Sequence, residues 1–275
     1  MPQLDHWTGA LYKAIHAARL GREVLLGYFG KLEHIEHKHM AGLVSEADKA
    51  SEKAIFSYLR THFPNDEMLG EESTPDPDQI SATSSKPGRW IVDPLDGTTN
   101  YVHRFPMYCV SIGYEWRGQI MVGVVDIPAL GEVYTAIRGR GAFVNGRRLA
   151  VSQAKSLSDS LLATGFFPEI EENLQEQLQV FAKIVRKCQG VRRAGAAAID
   201  LCLVASGVFD GYWEKNLRPW DSAAGLLLVQ EAGGLVTTYR GAPYTPFKNS
   251  IIAGNAQIVE QIKHAAASEI LPSSH

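Results

Sequence analysis

Leu4, Trp7, Leu11, Ile15, Ala18, Val24, Leu25 and Tyr28 recur at helical spacing, so the first thirty residues are predicted to form an amphipathic helix, loosened at its end by Gly27 and Gly30. Residues 31–40 alternate apolar and charged positions around His34, His37 and His39, which fits a solvated strand or hairpin better than a metal site. A second helix opens after residues 42–45. Ser45 and Asp48 there have the spacing of an acidic capping box, and Ala47, Ala50, Ala54, Ile55, Tyr58 and Leu59 supply its buried face. Residues 62–66 read as a turn, and 68–70 as a brief apolar segment ending in Glu71 and Glu72. Neighbours on an extended chain point to opposite faces, so only one of these two acids can face a given site. Residues 74–88, rich in Pro, Asp and Ser, read as a polar surface excursion.

Trp90, Ile91 and Val92 then run straight into Asp93-Pro-Leu-Asp-Gly-Thr-Thr-Asn100. This reads as a buried strand ended by Pro94, which delivers Asp93 and Asp96 to its C-terminal edge. Backbone amides and hydroxyls at Gly97, Thr98 and Thr99 follow, where an anion could be held. Carboxylates and anion-binding amides compete unless divalent cations bridge them to a phosphate. The plainer alternative is a turn, which Asp, Pro and Gly also favour.

From 108 to 134 three apolar runs punctuated at Arg117-Gly118 and Leu130-Gly131 predict an antiparallel meander, and Asn145-Gly146 predicts a further hairpin. Gly139 and Gly141 complete no dinucleotide fingerprint, because no helix-forming segment follows. Past residue 150 the order becomes strand (161–164), helix (with Leu174, Leu178, Phe181, Ile184 and Val185 as its apolar face), helix (195–206), strand (211–214) and helix (223–232, ended by Gly233-Gly234). Glu214 reads as a solvated strand end and Asp221 as the cap of a helix beginning near Ser222. Asp200, alone in an apolar helical stretch, reads as satisfying a local backbone group. Arg192 and Arg193 fit a surface patch or a phosphate contact equally.

A chain of 275 residues accommodates two such halves, and we expect them at 1–150 and 151–275. A hydrophobic share of 45% beside 21% charged residues is that of a soluble globular protein, and a net charge of -3 gives no reason to expect nucleic acid as a ligand. No apolar run approaches the roughly 18 residues of a membrane span, and the N-terminus has no basic region followed by an apolar stretch, so no secretory signal is expected. Cys109, Cys188 and Cys202, odd in number and set among apolar residues, suit reduced core thiols of a cytoplasmic protein.

Asp48, Gly70-Glu71-Glu72-Ser73, Asp93-Pro-Leu-Asp-Gly-Thr98 and Pro219-Trp-Asp-Ser-Ala-Ala-Gly225, in this order and spacing, resemble the inositol monophosphatases and, more broadly, the magnesium-dependent, lithium-sensitive phosphatases that include fructose bisphosphatases. The resemblance runs from about Leu43 to Gly234. It implies an α/β (α+β) layered sandwich of alternating helices and sheets, with an antiparallel-sheet N-terminal half and an α/β C-terminal half. It implies two to three magnesium ions: Glu71, Asp93 and the Leu95 carbonyl for the first, and Asp93, Asp96 and Asp221 for the second, with Glu71 also serving a weaker third. Asp48 and Thr98 match the pair that orients and deprotonates the attacking water, with Glu71 beside them. Gly97 and Thr98 match amides that take phosphate oxygens. Gly195, Ala196, Ala197 and Glu214, together with Asp221, match contacts to the substrate, and Lys38 aligns loosely with a basic residue of a mobile loop. The implied activity is hydrolysis of myo-inositol monophosphate by a homodimer. The alternatives are a sister phosphatase acting on histidinol phosphate, fructose 1,6-bisphosphate or 3′-phosphoadenosine 5′-phosphate, or a regulatory protein associated with the transcription machinery. Gly42 and Ser45 depart from the family pattern, in which Asp often precedes Leu-Val-Thr, and the 74–88 loop differs in character. Both departures bear on substrate preference more than on metal chemistry.

Overall fold

Alternating buried positions in the central strands face two different layers, and this requirement sets the architecture. The structure, a computed structural model, describes residues 5–37, 43–74, 79–166 and 171–267. In chain order it forms α1 (His6–Tyr28), β1 (Ile35–His37), β2 (Leu43–Ser45), α2 (Glu46–His62), β3 (Glu67–Gly70), β4 (Gly88–Asp96), α3 (Thr98–Val102), β5 (Cys109–Trp116), β6 (Gln119–Ile127), β7 (Glu132–Ile137), β8 (Gly141–Val144) and β9 (Arg147–Arg148). There follow β10 (Leu161–Thr164), α4 (Glu171–Val185), β11 (Gly190–Arg192), α5 (Ala197–Ala205), β12 (Gly211–Lys215), α6 (Pro219–Glu231), β13 (Leu235–Thr237), β14 (Ser250–Gly254) and α7 (Ala256–Ala267). Lys38, His39 and Gly42, singled out above, lie outside the described residues.

One sheet has the order β3-β4-β5-β6-β7-β8-β9, antiparallel except for the β3–β4 pair. A second is mixed, in the order β11-β10-β12-β14-β13, with β10 parallel to both its neighbours, and β1 and β2 form a separate antiparallel pair. α1 and α2 cover the outer face of the first sheet, α5 and α6 lie between the sheets, and α4 and α7 cover the outer face of the second. The layered α/β arrangement expected from the sequence is therefore the one present. Its cores follow the period of two. Trp90 and Val92 pack with α1 and α2 while Ile91 packs with α5 and α6; Tyr212 and Ile251 face inward while Trp213 and Ile252 meet α4 and α7.

Two close approaches seat α6 on the first sheet. A Cβ on Gly113 would come within 2.8 Å of the Ala223 Cβ, and one on Gly123 within 2.9 Å of the Ala224 carbonyl oxygen. Only glycine lets helix backbone approach strand backbone so closely. The first turn of α6 is thereby held beside the C-terminal end of β4, where the Ser111 hydroxyl donates to the Trp220 carbonyl at 3.3 Å. On the far edge, buried Arg89 donates to Glu115 at 2.6 Å and to the carbonyls of Ser81 and Ala82, fastening the polar excursion to the sheet.

Several expectations are corrected. Pro94 does not end its strand: β4 continues to Asp96. Asp93 pairs with Ser111 and Asp96 with Cys109, so three steps on β4 match two on β5 and the extra residue forms a bulge. A bulge leaves an unpaired position, which is where a residue without an N–H fits. Asp221 is not the N-cap: α6 begins at Pro219, whose fixed φ suits the first helical position, and Asp221 caps from inside the first turn by accepting the Arg218 amide. In α4 the buried apolar residues are Val180 and Ile184, whereas Leu178 and Val185 are exposed. Cys109 and Cys202 are buried but Cys188 is only half-buried. The elements beyond Gly234 were not anticipated. No helix among the described residues is long and apolar enough to cross a membrane.

Candidate active site

At the N-terminus of α2 the Ser45 amide and hydroxyl both donate to Asp48 Oδ2, at 2.8 and 2.6 Å. That is the predicted capping box, and it uses only one carboxylate oxygen. The other, Oδ1, accepts the Thr98 hydroxyl at 2.9 Å across fifty residues of chain. The same hydroxyl lies 3.1 Å from the Leu95 carbonyl oxygen. Burial raises the Asp48 carboxyl above the usual range, opposed by the hydrogen bonds from Ser45 and Thr98.

The bulge in β4 presents Asp93 and Asp96 in different settings. Asp93 Oδ1 accepts the Leu95 amide at 3.0 Å. Asp96 Oδ2 accepts the Ala198 amide of the α5 N-terminus at 2.7 Å, so a carboxylate of the first sheet caps a helix of the second half. Burial, then the negative charges of Glu71, Asp96 and Asp221, push Asp93 well above the usual carboxylate range. Burial pushes Asp96 up to about 7, with the Ala198 amide pulling against it. Asp221 Oδ2 accepts the Arg218 amide at 2.7 Å. Burial, then Asp96 and Glu71, hold Asp221 well above its ordinary value.

Glu71, Asp96 and Asp221 come from three separate elements and line one cavity of about 320 Å³, together with Gly97 and Thr98. Gly97 takes φ +88°, and a Cβ there would meet the Met107 carbonyl at 2.7 Å. Asp48, Asp93 and Leu95 are not part of the cavity wall. The second half of the chain contributes Gly195, Ala196, Ala197 and Glu214 to the same lining. Asp48 and Leu95 are tied to this lining through the Thr98 hydroxyl, and Asp93 through the charges of Glu71, Asp96 and Asp221.

Glu214, read from sequence as a solvated strand end, is buried on β12 between β10 and β14 and accepts the Tyr212 hydroxyl. Burial pushes its carboxyl up to about 7, opposed by that hydrogen bond and by the charge of Arg193. Its carboxylate lies against Gly165, where a Cβ would overlap both carboxylate oxygens. Three contributors escaped sequence reasoning. Asn100 Nδ2 donates to the carbonyls of Met107 and Ala194 at 2.7 and 2.8 Å, holding the two halves of the chain together. Gly165 makes room for Glu214. Asp200, assigned above to a local backbone group, lines the cavity with Oδ1 unpartnered among the described residues. Of the two arginines left open, Arg193 is at the cavity and Arg192 is not.

The donors fit magnesium in kind. They are all oxygen, mostly carboxylate, and they crowd like charges with little to offset them, which is the condition a hard dication relieves. They are not a preassembled cage: among the described residues no three His, Cys, Asp or Glu side chains stand in ligand geometry.

The description "Inositol monophosphatase family" belongs to a family model that matches residues 7–272. A Pseudomonas aeruginosa protein named Nus factor SuhB is 40% identical, covering 94% of this chain and 96% of its own. An inositol-1-monophosphatase of Synechocystis is also 40% identical, over 96% of this chain and 90% of its own. The crystal structure of extragenic suppressor protein SuhB from Bartonella henselae superposes with a TM-score of 0.88 at 39% identity, covering 95% of this chain and all of that one.

Proposed function

Because this chain belongs to the inositol monophosphatase family, we propose that it is a magnesium-dependent phosphomonoesterase that hydrolyses myo-inositol monophosphate to myo-inositol and phosphate. The observation that carries the reading is the meeting of Glu71, Asp96 and Asp221 with Gly97 and Thr98 in one cavity. Glu71, Asp93, the Leu95 carbonyl, Asp96 and Asp221 would hold the metal. When bound, magnesium would neutralise charge on the transferring phosphoryl group and acidify the attacking water.

The chain's own groups do the rest. Asp48 fixes the Thr98 hydroxyl, and this pair orients the attacking water and draws off its proton. The Gly97 and Thr98 amides receive phosphate oxygens. Glu214, Gly195, Ala196 and Ala197 contact the alcohol, and Asp221 serves the substrate as well as the metal. No nucleophilic Ser or Cys is needed. The homodimer and the cytoplasmic setting implied by the resemblance belong to the same reading.

A substrate panel with magnesium tests it. Myo-inositol 1-phosphate is expected to be turned over with a higher kcat/KM than histidinol phosphate, fructose 1,6-bisphosphate or 3′-phosphoadenosine 5′-phosphate, and lithium is expected to suppress that turnover. A higher kcat/KM for one of the other esters would reassign the substrate within the family.

A second, non-catalytic role is favoured by one observation, the name Nus factor carried by the P. aeruginosa relative. We propose association with the transcription machinery alongside catalysis. The tagged Asp93→Asn protein is expected to retain RNA polymerase subunits from lysate on immunoblots, as the wild type does. Failure of both proteins to retain them removes this role.

A further inference from the structure

Asp200 sits in the first half of α5, within Ala-Ala-Ile-Asp-Leu-Cys-Leu-Val-Ala, where all its neighbours are apolar. It is 1% exposed. Its amide makes the ordinary helical bond to Ala196, so the backbone does not need the side chain. Oδ1 has no hydrogen-bond partner among the described residues, although it is buried. An unsatisfied buried carboxyl weakens the free protein. Asp200 also lines the cavity that holds the candidate phosphate and alcohol sites. Its electrostatic neighbours are Glu214 and Asp96, with Arg193 of opposite sign, so it belongs to the wall assigned to the alcohol.

We propose that Asp200 is a specificity residue: its carboxyl, at the cavity lining, accepts a hydrogen bond from a second hydroxyl of the alcohol, so that the site favours phosphate esters of polyols over those of alcohols with no further hydroxyl. The proposal rests on the phosphatase reading above and deepens it. Glu214 already has one oxygen engaged by Tyr212, so on its own it offers a polyol fewer acceptors than the pair. Arg193 supplies a donor on the same wall. A site with such an orphan acceptor rewards the ligand that pairs it and penalises the analogue that does not.

The test compares Asp200→Asn and Asp200→Ala with wild type on myo-inositol 1-phosphate, glycerol 2-phosphate and p-nitrophenyl phosphate, whose leaving group has no second hydroxyl. Asp200→Ala is expected to lose about ten- to a hundredfold in kcat/KM on the two polyol esters, chiefly through KM, while p-nitrophenyl phosphate changes less than about twofold. Asp200→Asn, which keeps one acceptor, is expected to fall between. Asp200→Asn is also expected to melt no lower than wild type, because the amide keeps the side chain's shape and needs no proton to stay uncharged in its buried setting. Equal losses on all three esters, no loss on any, or a clearly lower melting temperature for Asp200→Asn would each overturn the proposal. If wild type hydrolyses glycerol 2-phosphate but not the inositol ester, the substrate reading fails and Asp200 is still judged by the glycerol arm. If it hydrolyses no ester, both fail.

Discussion

Asp93→Asn is expected to lower kcat on myo-inositol 1-phosphate by about a thousandfold or more while making the metal-free protein more stable at neutral pH. The two effects have one cause. Asp93 is 2% exposed, and Glu71, Asp96 and Asp221 all act on it with like charge. Without metal, its ionised form is a burden that the single amide from Leu95 only partly offsets. Asparagine keeps an oxygen for that amide and sheds the charge, so strain falls and the melting temperature should rise by a few degrees, on the scale of roughly 2–4 °C per kcal/mol for a chain of this size. The same substitution removes a charged donor from the proposed metal set, so added magnesium should stabilise wild type and leave the variant unmoved. Steady-state kinetics and paired melting curves in EDTA and in magnesium check both halves. Wild-type turnover in the variant would sink the assignment of Asp93 to the metal, and a lower metal-free melting temperature would make its role structural.

The layered fold was legible because its strands carry two patterns at once. Residues 90–92 are apolar throughout since both faces of β4 are covered, by α1 and α2 on one side and by α5 and α6 on the other. The capping box at Ser45 and Asp48 was legible because it is local. What Asp48 does with its second oxygen was not, since Thr98 is fifty residues away. Pro94 misled for a physical reason: a residue with no N–H ends a regular strand, but it is equally at home in a bulge, and only the pairing with β5 separates the two. Pro219 was passed over as the start of α6 because Asp221 and Ser222 carry stronger capping character. Glu214 looked solvated because β14, which flanks it, went unrecognised in a stretch of only five residues. Helical context explains a lone acid such as Asp200 cheaply. Only the cavity beside it shows that no local group uses it.

Stability of the metal-free protein should fall as pH rises from about 4 to about 7, and magnesium should reverse that slope. Asp96 and Glu214 have ordinary midpoints of 3.8 and 4.5 and are both raised to about 7 in the fold. Between these values the folded chain holds protons that the unfolded chain has released, so raising the pH favours unfolding. Asp93, Asp221, Asp48 and Asp200 are shifted upward as well and add to the same slope. Asp126, raised to about 6 by burial against the pull of Arg22, acts in the same sense. Asp5, held low by Arg140, has the opposite sign, but its contribution is lost only below its ordinary midpoint of 3.8 and so falls outside this window. One carboxyl moved by about three pH units corresponds to roughly 4 kcal/mol, against a total stability of about 5–15 kcal/mol for a typical domain. The metal-free site therefore cannot ionise several of these groups at once and stay folded, and it must keep protons or bind cations. Magnesium held as proposed would bind the ionised carboxylates and compete with those protons, so its stabilising effect should be small at pH 5 and large at pH 8. Urea titrations across that range, in EDTA and in magnesium, measure both slopes. Glu214→Gln should flatten the EDTA slope without abolishing the response to magnesium, because Glu214 is not among the proposed metal ligands. A metal-free protein that grows more stable from pH 5 to pH 7.5 would show that the cluster is balanced by charges inside the fold, and the case for a cation at this site would lose its physical ground.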